Sequence, residues 1–395
     1  MSSLGIIKNG SVVTVSGILE RTDVRLADGR VRDLGRFDGD GGGDALDATG
    51  CFVLPGLVDM HAHGGYGGDF MDACPESFDK ALRFHAENGV TSILPTSVTA
   101  PADRLVRMVD AVRDYKAKPP EWCRVLGAHL EGPFLSMKNR GAHNPEHLKS
   151  PGADGYGFVV ENKDAIAKLT VAPGLDGVEG LIAWAASAGI LVSGGHDAAG
   201  RDSILAAMEA GMTGLTHWYC AMSTAVVRGR VRDVGLMEFG LADPRLHLEL
   251  IADNRHLPPE LVRMAFLCKG PAEICLVSDC LRAGGMPEDG RTYPLGTEDD
   301  ASAGRFRVEG GVAVLEDGSR FAGSVQPLGK MIRNLVRDCG VSLVDAARTA
   351  SFTPACAIGR ESDIGSIQPG KYADICVMDR NLNVIHTLVD GRLVF

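Results

Sequence analysis

Four histidines and two carboxylates stand out by where they fall. His61-Ala62-His63 closes one apolar run, and Glu131 closes another inside His129-Leu130-Glu131-Gly132-Pro133-Phe134. His196 follows Ser193-Gly194-Gly195, His217 follows Gly214-Leu215-Thr216, and Asp279 follows Val277-Ser278. Residues i and i+2 of a strand face one side, so His61 and His63 are able to chelate one ion together. Imidazole and carboxylate donors suit a divalent metal: Zn²⁺ first, with Fe, Mn, Co or Ni compatible, at one or two ions per subunit. A catalytic ion keeps a position open, lowers the pKa of water there toward about 7 and polarises a scissile carbonyl. Asp279 is the carboxylate placed to take a proton from that water and hand it to a leaving amine. Taken singly, each residue has an ordinary explanation. His61 and His63 could lie on the surface, His196 could cap a turn, His217 could sit satisfied in a core, and Asp279 could be a helix N-cap. Such donors at five separate strand ends outweigh those explanations.

For these residues to meet, the elements carrying them must converge. Eight short apolar segments run through the middle of the chain: 53–60, 91–95, 124–130, 169–172, 190–194, 214–216, 247–252 and 274–278. Amphipathic stretches lie between several of them, at 76–87, 102–114, 178–188 and 201–209. Strands alternating with helices imply parallel pairing through right-handed crossovers, and eight such units close into a (β/α)8 TIM-like barrel. In a barrel all strand C-termini open on one face, which is where the six residues fall. No G-x-G-x-x-G follows the first strand, which disfavours an open dinucleotide-binding sheet.

Both chain ends read as short strands. The first fifty residues give 5–10, 11–15 and 21–26 as strands, then a Gly/Asp-rich loop over 38–47; the tail gives 373–379, 384–389 and 392–395, with a hairpin turn at Asp390-Gly391. The expectation is a small β-sandwich domain from residues 1–54 with 356–395, and a barrel over 55–355. A β-rich insertion is expected over 284–320. Helices over 325–339 and 343–349 complete the wall, the first capped by Ser324.

Composition narrows the function. The 395 residues are 45% apolar with a net charge of -11, from 40 basic and 51 acidic residues, which argues against nucleic acid as a partner. Ten scattered cysteines without a C-x-x-C pair suit a reducing, cytoplasmic setting. No signal peptide and no membrane span is expected, since no apolar run approaches about 20 residues. A small-molecule substrate remains.

The residues also carry a resemblance. Pro55-Gly-Leu-Val-Asp-Met-His-Ala-His-Gly64 resembles the first-strand signature of the amidohydrolase superfamily, and Pro369–Asp379 resembles its closing β segment. His129–Phe134, Arg140-Gly-Ala-His143, Thr216-His217 with Ala221-Met222, Ile251-Ala-Asp253, Val277-Ser-Asp279 and Ala322-Gly-Ser324 resemble the N-acetylglucosamine-6-phosphate deacetylase family, in order and over nearly the whole chain. That resemblance implies that Glu131, His196 and His217 hold a primary metal, with His61 and His63 serving a second. It implies Asp279 as general acid/base and His143 as a group that polarises the acyl carbonyl. It places His256 and Arg228 toward a sugar phosphate, with Ala142, Cys220 and Ala221 also on the substrate, in a homodimer. The fourth strand ends in Ala172-Pro173 without a lysine, so a carbamylated-lysine bridge is not expected and Glu131 stands in for it.

Three places depart from the family. Cys220-Ala221 replaces Asn-Ala, Asp253-Asn254 replaces Asp-Gly, and the loop 223–233 is unlike the usual stretch. These positions face substrate rather than metal. The expected activity is metal-dependent hydrolysis of the N-acetyl amide of an amino-sugar phosphate, of gluco or galacto configuration. An N-acyl amino acid amidohydrolase on the same barrel is the alternative. An inactive binding protein would have lost ligands or Asp279, and this chain has lost neither.

Overall fold

The computed structural model describes residues 4–39, 44–300 and 303–395. Eight parallel strands form the barrel: β1 (Leu57–Ala62), β2 (Val90–Pro95), β3 (Ala128–Glu131), β4 (Ile166–Val171), β5 (Leu191–Gly194), β6 (Gly214–Leu215), β7 (His247–Leu250) and β8 (Ile274–Leu276). β1 pairs β2, and β3 through β8 pair in sequence order. Two seams close the ring: Arg124–Val125, just before β3, pairs with Ser92–Ile93 of β2 and Thr96 bridges His129, while Ala62 bridges Cys280 between β1 and β8. At that second seam the Asp279 N–H donates to the His61 carbonyl at 2.8 Å, so closing the barrel also places Asp279 beside His61.

The strands are covered on both faces and read accordingly as nearly continuous apolar runs. Every residue of β1, β2 and β3 is buried. Helices over Pro75–Ala86, Ala102–Lys116, Val178–Ser187, Arg201–Ala210, Leu236–Ala242, Pro259–Lys269 and Leu328–Arg337 follow strands and bury one stripe each against them.

Both chain ends share one eight-stranded sheet, a small β-sandwich beside the barrel. Its order runs Arg392–Leu393, Val384–Val389, Ile375–Met378, Phe52–Pro55, Leu4–Thr14, Gly17–Ala27, Arg30–Gly35, and Asp44–Asp47 pairs with Leu4–Thr14. Leu4, Ile7, Val12, Val24, Val31, Val53, Ile375, Val377 and Leu388 form its separate core. The insertion after β8 is a four-stranded antiparallel sheet, Thr292–Pro294, Arg305–Glu309, Val312–Leu315 and Phe321–Gly323, around Tyr293 and Phe306.

Local details correct the sequence reading in three places. Residues 4–14 are one strand, not two, because Asn9 takes φ 59° and absorbs a bulge where a turn was expected. The expected loop over 38–47 ends in a strand, Asp44–Asp47, which gains a parallel partner in Leu4–Lys8. Ser324 is not a helix cap. Its backbone bonds to Asp279 and Leu281, and the helix opens after Pro327, whose fixed φ suits a helix start. Asp390 and Gly391 both have positive φ, 51° and 69°, as a two-residue type I′ hairpin requires.

Candidate active site

The strand ends bring the expected donors together. Glu131 sits at the centre and uses its two oxygens separately. Oε1 lies 3.1 Å from His196 Nε2 and 2.9 Å from His217 Nε2, and those two nitrogens are 3.0 Å apart. Oε2 lies 3.4 Å from His61 Nε2 and 3.3 Å from His63 Nε2. Asp279 Oδ1 completes that second group at 3.4 Å from His61 Nε2 and 3.2 Å from His63 Nε2, with the two nitrogens 3.2 Å apart. A tetrahedral ion with bonds of about 2.0–2.1 Å needs donors about 3.3–3.4 Å apart. The His61, His63, Glu131 and Asp279 donors meet that spacing, so the residues fit a divalent cation there. The triangle of Glu131, His196 and His217 is slightly tighter and leaves positions open.

Backbone strain accompanies this arrangement. His196, His217 and Asp279 adopt φ of 48°, 33° and 47°, in the left-handed region that costs non-glycine residues on the order of 1–3 kcal/mol. The turn into His196 is tightly packed around Gly194 and Gly195. A Cβ on Gly194 would lie 2.7 Å from Met212 Sδ, and one on Gly195 would crowd Thr216 Cβ at 3.1 Å.

Secondary contacts fix which ring nitrogen faces the site. His196 Nδ1 lies 3.0 Å from the Asn139 carbonyl, which leaves Nε2 for an ion. His143 shows the opposite polarity. Its Nδ1 accepts from the Thr99 backbone N–H at 3.2 Å, so a neutral His143 carries its proton on Nε2. That Nε2–H points to the site, 3.5 Å from Glu131 Oε2.

Electrostatics separate these imidazoles. Burial alone would lower His61 and His63; Glu131 and Asp279 outweigh it and hold them at about 9 and about 10. Burial pushes the two acids up, but His61 and its neighbours keep Glu131 well below the usual carboxylate range and Asp279 below it. His143 goes the other way: burial brings it down to about 4 against the pull of Glu131. It is therefore a neutral donor at neutral pH.

One cavity of about 420 Å³ opens over the cluster, lined among others by His63, Glu131, His196, His217, Asp279 and His143. Ala142, Cys220, Ala221 and His256 line it as well. Burial pushes the Cys220 thiol up to about 12, so it contributes a neutral, weakly polar wall. His256 donates through Nδ1 to Asp253 at 2.8 Å; burial lowers its pKa, Asp253 outweighs that, and the net shift is upward. Arg228 ends the short strand Val226–Arg228, and its side chain lies outside the described residues.

Several participants escaped the sequence reading. Lys138 and Arg320 bring cations to the cavity wall, and Arg320 Nη1 donates to the Gly141 carbonyl at 3.2 Å. Glu249 on β7 and Lys168 on β4 lie fully buried behind the cluster as an ion pair. β4 does hold a lysine, then, two positions before its Thr170, but that ammonium is committed to Glu249. Burial pushes Glu249 up; Lys168, then His61, outweigh it and bring the carboxyl to about 2. The signal for this pair was a lysine inside β4 and a glutamate inside β7, each flanked by apolar residues.

The amidohydrolase family model matches residues 52–394. The chain belongs to the amidohydrolase family. It is 32% identical over 369 residues to the N-acetylglucosamine-6-phosphate deacetylase of Vibrio furnissii, covering 93% of this chain and 89% of that one. It is 31% identical over 389 residues to the N-acetylgalactosamine-6-phosphate deacetylase of Escherichia coli O157:H7, covering 98% of each. A mutant N-acetyl-D-glucosamine-6-phosphate deacetylase from Mycobacterium smegmatis, solved in complex with N-acetyl-D-glucosamine-6-phosphate, superposes with a TM-score of 0.89 at 29% identity over 100% of both chains. This amidohydrolase is a metal-dependent hydrolase, and its His/Glu cluster is where a divalent cation fits. No helix among the described residues is long and apolar enough to cross a membrane.

Proposed function

We propose that this amidohydrolase removes the acetyl group from an N-acetylhexosamine 6-phosphate, of gluco or galacto configuration, giving acetate and the free amino sugar phosphate. One observation carries the proposal: a single carboxylate, Glu131, joins two donor groups, while Asp279 and the Nε2–H of His143 face the same cavity. Glu131, His196 and His217 would hold one ion, and His61, His63, Glu131 and Asp279 a second. A divalent cation held there, Zn²⁺ first among the candidates, supplies Lewis acidity toward the acyl oxygen and lowers the pKa of nearby water.

The remaining steps belong to the protein. Asp279, ionised at neutral pH, takes the proton of the attacking water as general base. It then delivers that proton to the leaving amine nitrogen as general acid. His143 donates its Nε2–H to the acyl oxygen as negative charge develops there. The cavity binds the sugar through Ala142, Cys220 and Ala221. His256, Lys138 and Arg320 supply positive character for the phosphate, with Arg228 assigned to the same task.

We take residues 1–54 with 356–395 as the small β domain and 55–355 as the catalytic barrel, and the working form as a cytoplasmic homodimer. The hairpin of Val226–Arg228 and Val231–Asp233 supports the dimer, since Val227 is 63% and Val231 71% exposed on a single chain. The activity is tested by acetate release from N-acetylglucosamine-6-phosphate and its galacto epimer, side by side, with Zn²⁺-loaded enzyme. Release from either, abolished by chelation, is expected. No release from both, with ions bound, refutes the substrate class.

A further inference from the structure

Behind the ligand cluster, β7 carries Glu249 and β4 carries Lys168, both 0% exposed. Burying two charges is expensive, and well-packed apolar residues are commonly at least as stable in such places. Their contacts show what the pair does. Glu249 Oε1 pairs with the Lys168 ammonium. Glu249 Oε2 lies 3.4 Å from His61 Nδ1, on the side of the ring opposite Glu131, His63 and Asp279, and also 3.4 Å from the His217 backbone N–H. A neutral imidazole offers Nε2 to an ion only when Nδ1 carries the proton, and a buried N–H needs an acceptor. Among the described residues Glu249 is the acceptor found for His61 Nδ1. His63 Nδ1 and His217 Nδ1 have none among the described residues.

We propose that Glu249 is a positioning residue that holds His61 in its ligand tautomer and orientation, and that Lys168 is the ion-pair partner that fixes the Glu249 carboxylate against that ring. The proposal rests on the assignment of an ion to His61, His63, Glu131 and Asp279. Among the described residues, the other donor group, Glu131, His196 and His217, meets the pair through the His217 backbone N–H.

The test measures ion stoichiometry by elemental analysis and both Zn²⁺ affinities by competition with a chromophoric chelator. It compares the parent, His61→Asn, Glu249→Gln, and the double variant Glu249→Leu with Lys168→Met. His61→Asn is expected to keep one ion and so identifies the affinity of the other site. Glu249→Gln is expected to weaken the His61-side ion about 10–100-fold, the usual effect of removing such an outer partner, and to leave the other ion near its parental affinity. The double variant removes both buried charges and restores an apolar fit. It is expected to fold yet still bind the His61-side ion at least about 10-fold more weakly. A folded double variant with two parental affinities overturns the proposal, because the pair would then be structural only. Should the double variant not fold, parental affinities in Glu249→Gln overturn it equally. A parent that binds one ion, unaffected by His61→Asn, overturns the ion assignment itself and the proposal with it.

Discussion

Replacing His143 with leucine isolates a single donor. The Thr99 N–H to Nδ1 contact fixes the His143 proton on Nε2, and the low pKa of about 4 keeps the ring neutral across the working range. Its Nε2 lies 3.5 Å from Glu131 Oε2, longer than the donor spacings around either proposed ion, and its ring packs edge-on against His196 at 4.6 Å between centroids. Leucine has a similar volume but no N–H. Losing one preorganised donor to a developing oxyanion costs about 10²–10³ in kcat, or ~2.7–4 kcal/mol of transition-state stabilisation. KM should change little, because the charge develops after binding. The Thr99 N–H loses its acceptor in a largely buried place, so stability should fall by about 1–3 kcal/mol. Steady-state kinetics, elemental analysis and thermal melting read these three effects separately. A kcat within threefold of the parent would show that the Nε2–H does not meet the acyl oxygen. Loss of an ion would show instead that His143 is a ligand, a role its place beside Glu131 and His196 also permits geometrically.

Three further outcomes follow. Asp279→Asn should lower kcat by about 10²-fold or more while the Glu131–His196–His217 ion stays bound; turnover within threefold would refute the proton-transfer role. Chelated protein should lose stability as pH rises from about 6.5 through about 9–10. Folded His61 and His63 hold their protons more tightly than the unfolded chain does, so their contribution is complete below the unfolded pKa and fades above it. Metal-loaded protein should lack that slope, so melting curves at pH 6.5 and 9.5, with and without chelator, check the claim; identical slopes would refute it. Val227→Asp with Val231→Asp should halve the mass seen by light scattering, because it puts charge on the most exposed apolar residues of the hairpin. An unchanged dimer mass would remove the hairpin from the interface.

Much of the site was legible because its residues sit where periodicity changes. His61, His63, Glu131, His196, His217 and Asp279 each end or follow an apolar run, and barrel topology turns that shared position into proximity. The fold was legible for the same reason: strands covered on both faces are short continuous apolar runs, and helices between them are amphipathic. Other features were hidden in tertiary structure. Asp44–Asp47 has no apolar alternation of its own and becomes a strand only because Leu4–Lys8 offers backbone partners. Ser324 has the right residue type for a cap, yet Asp279 and Leu281 claim its backbone. The polarity of His143 depends on a hydrogen bond from Thr99, 44 residues earlier in the chain, which no local pattern encodes.

The strained backbone and the crowded charges at the site have one physical origin. His196, His217 and Asp279 each leave a strand and turn at once into a left-handed conformation, which throws the side chain back over the barrel mouth. A relaxed strand exit would carry the donors away from the axis, where His196 and His217 could not meet Glu131 nor Asp279 meet His61 and His63. Two imidazoles on one side of the buried Glu131 carboxylate and two on the other would be unfavourable if they served only the fold. Donors already spaced at 2.9–3.4 Å are preorganised for a cation, so little further movement is needed on binding. The strain and desolvation are thus held in the folded barrel, and a bound ion lowers the free energy of the folded state alone. Metal should accordingly raise the melting temperature of the parent by more than that of His61→Asn. Equal increments would mean that the second donor group is not organised for an ion.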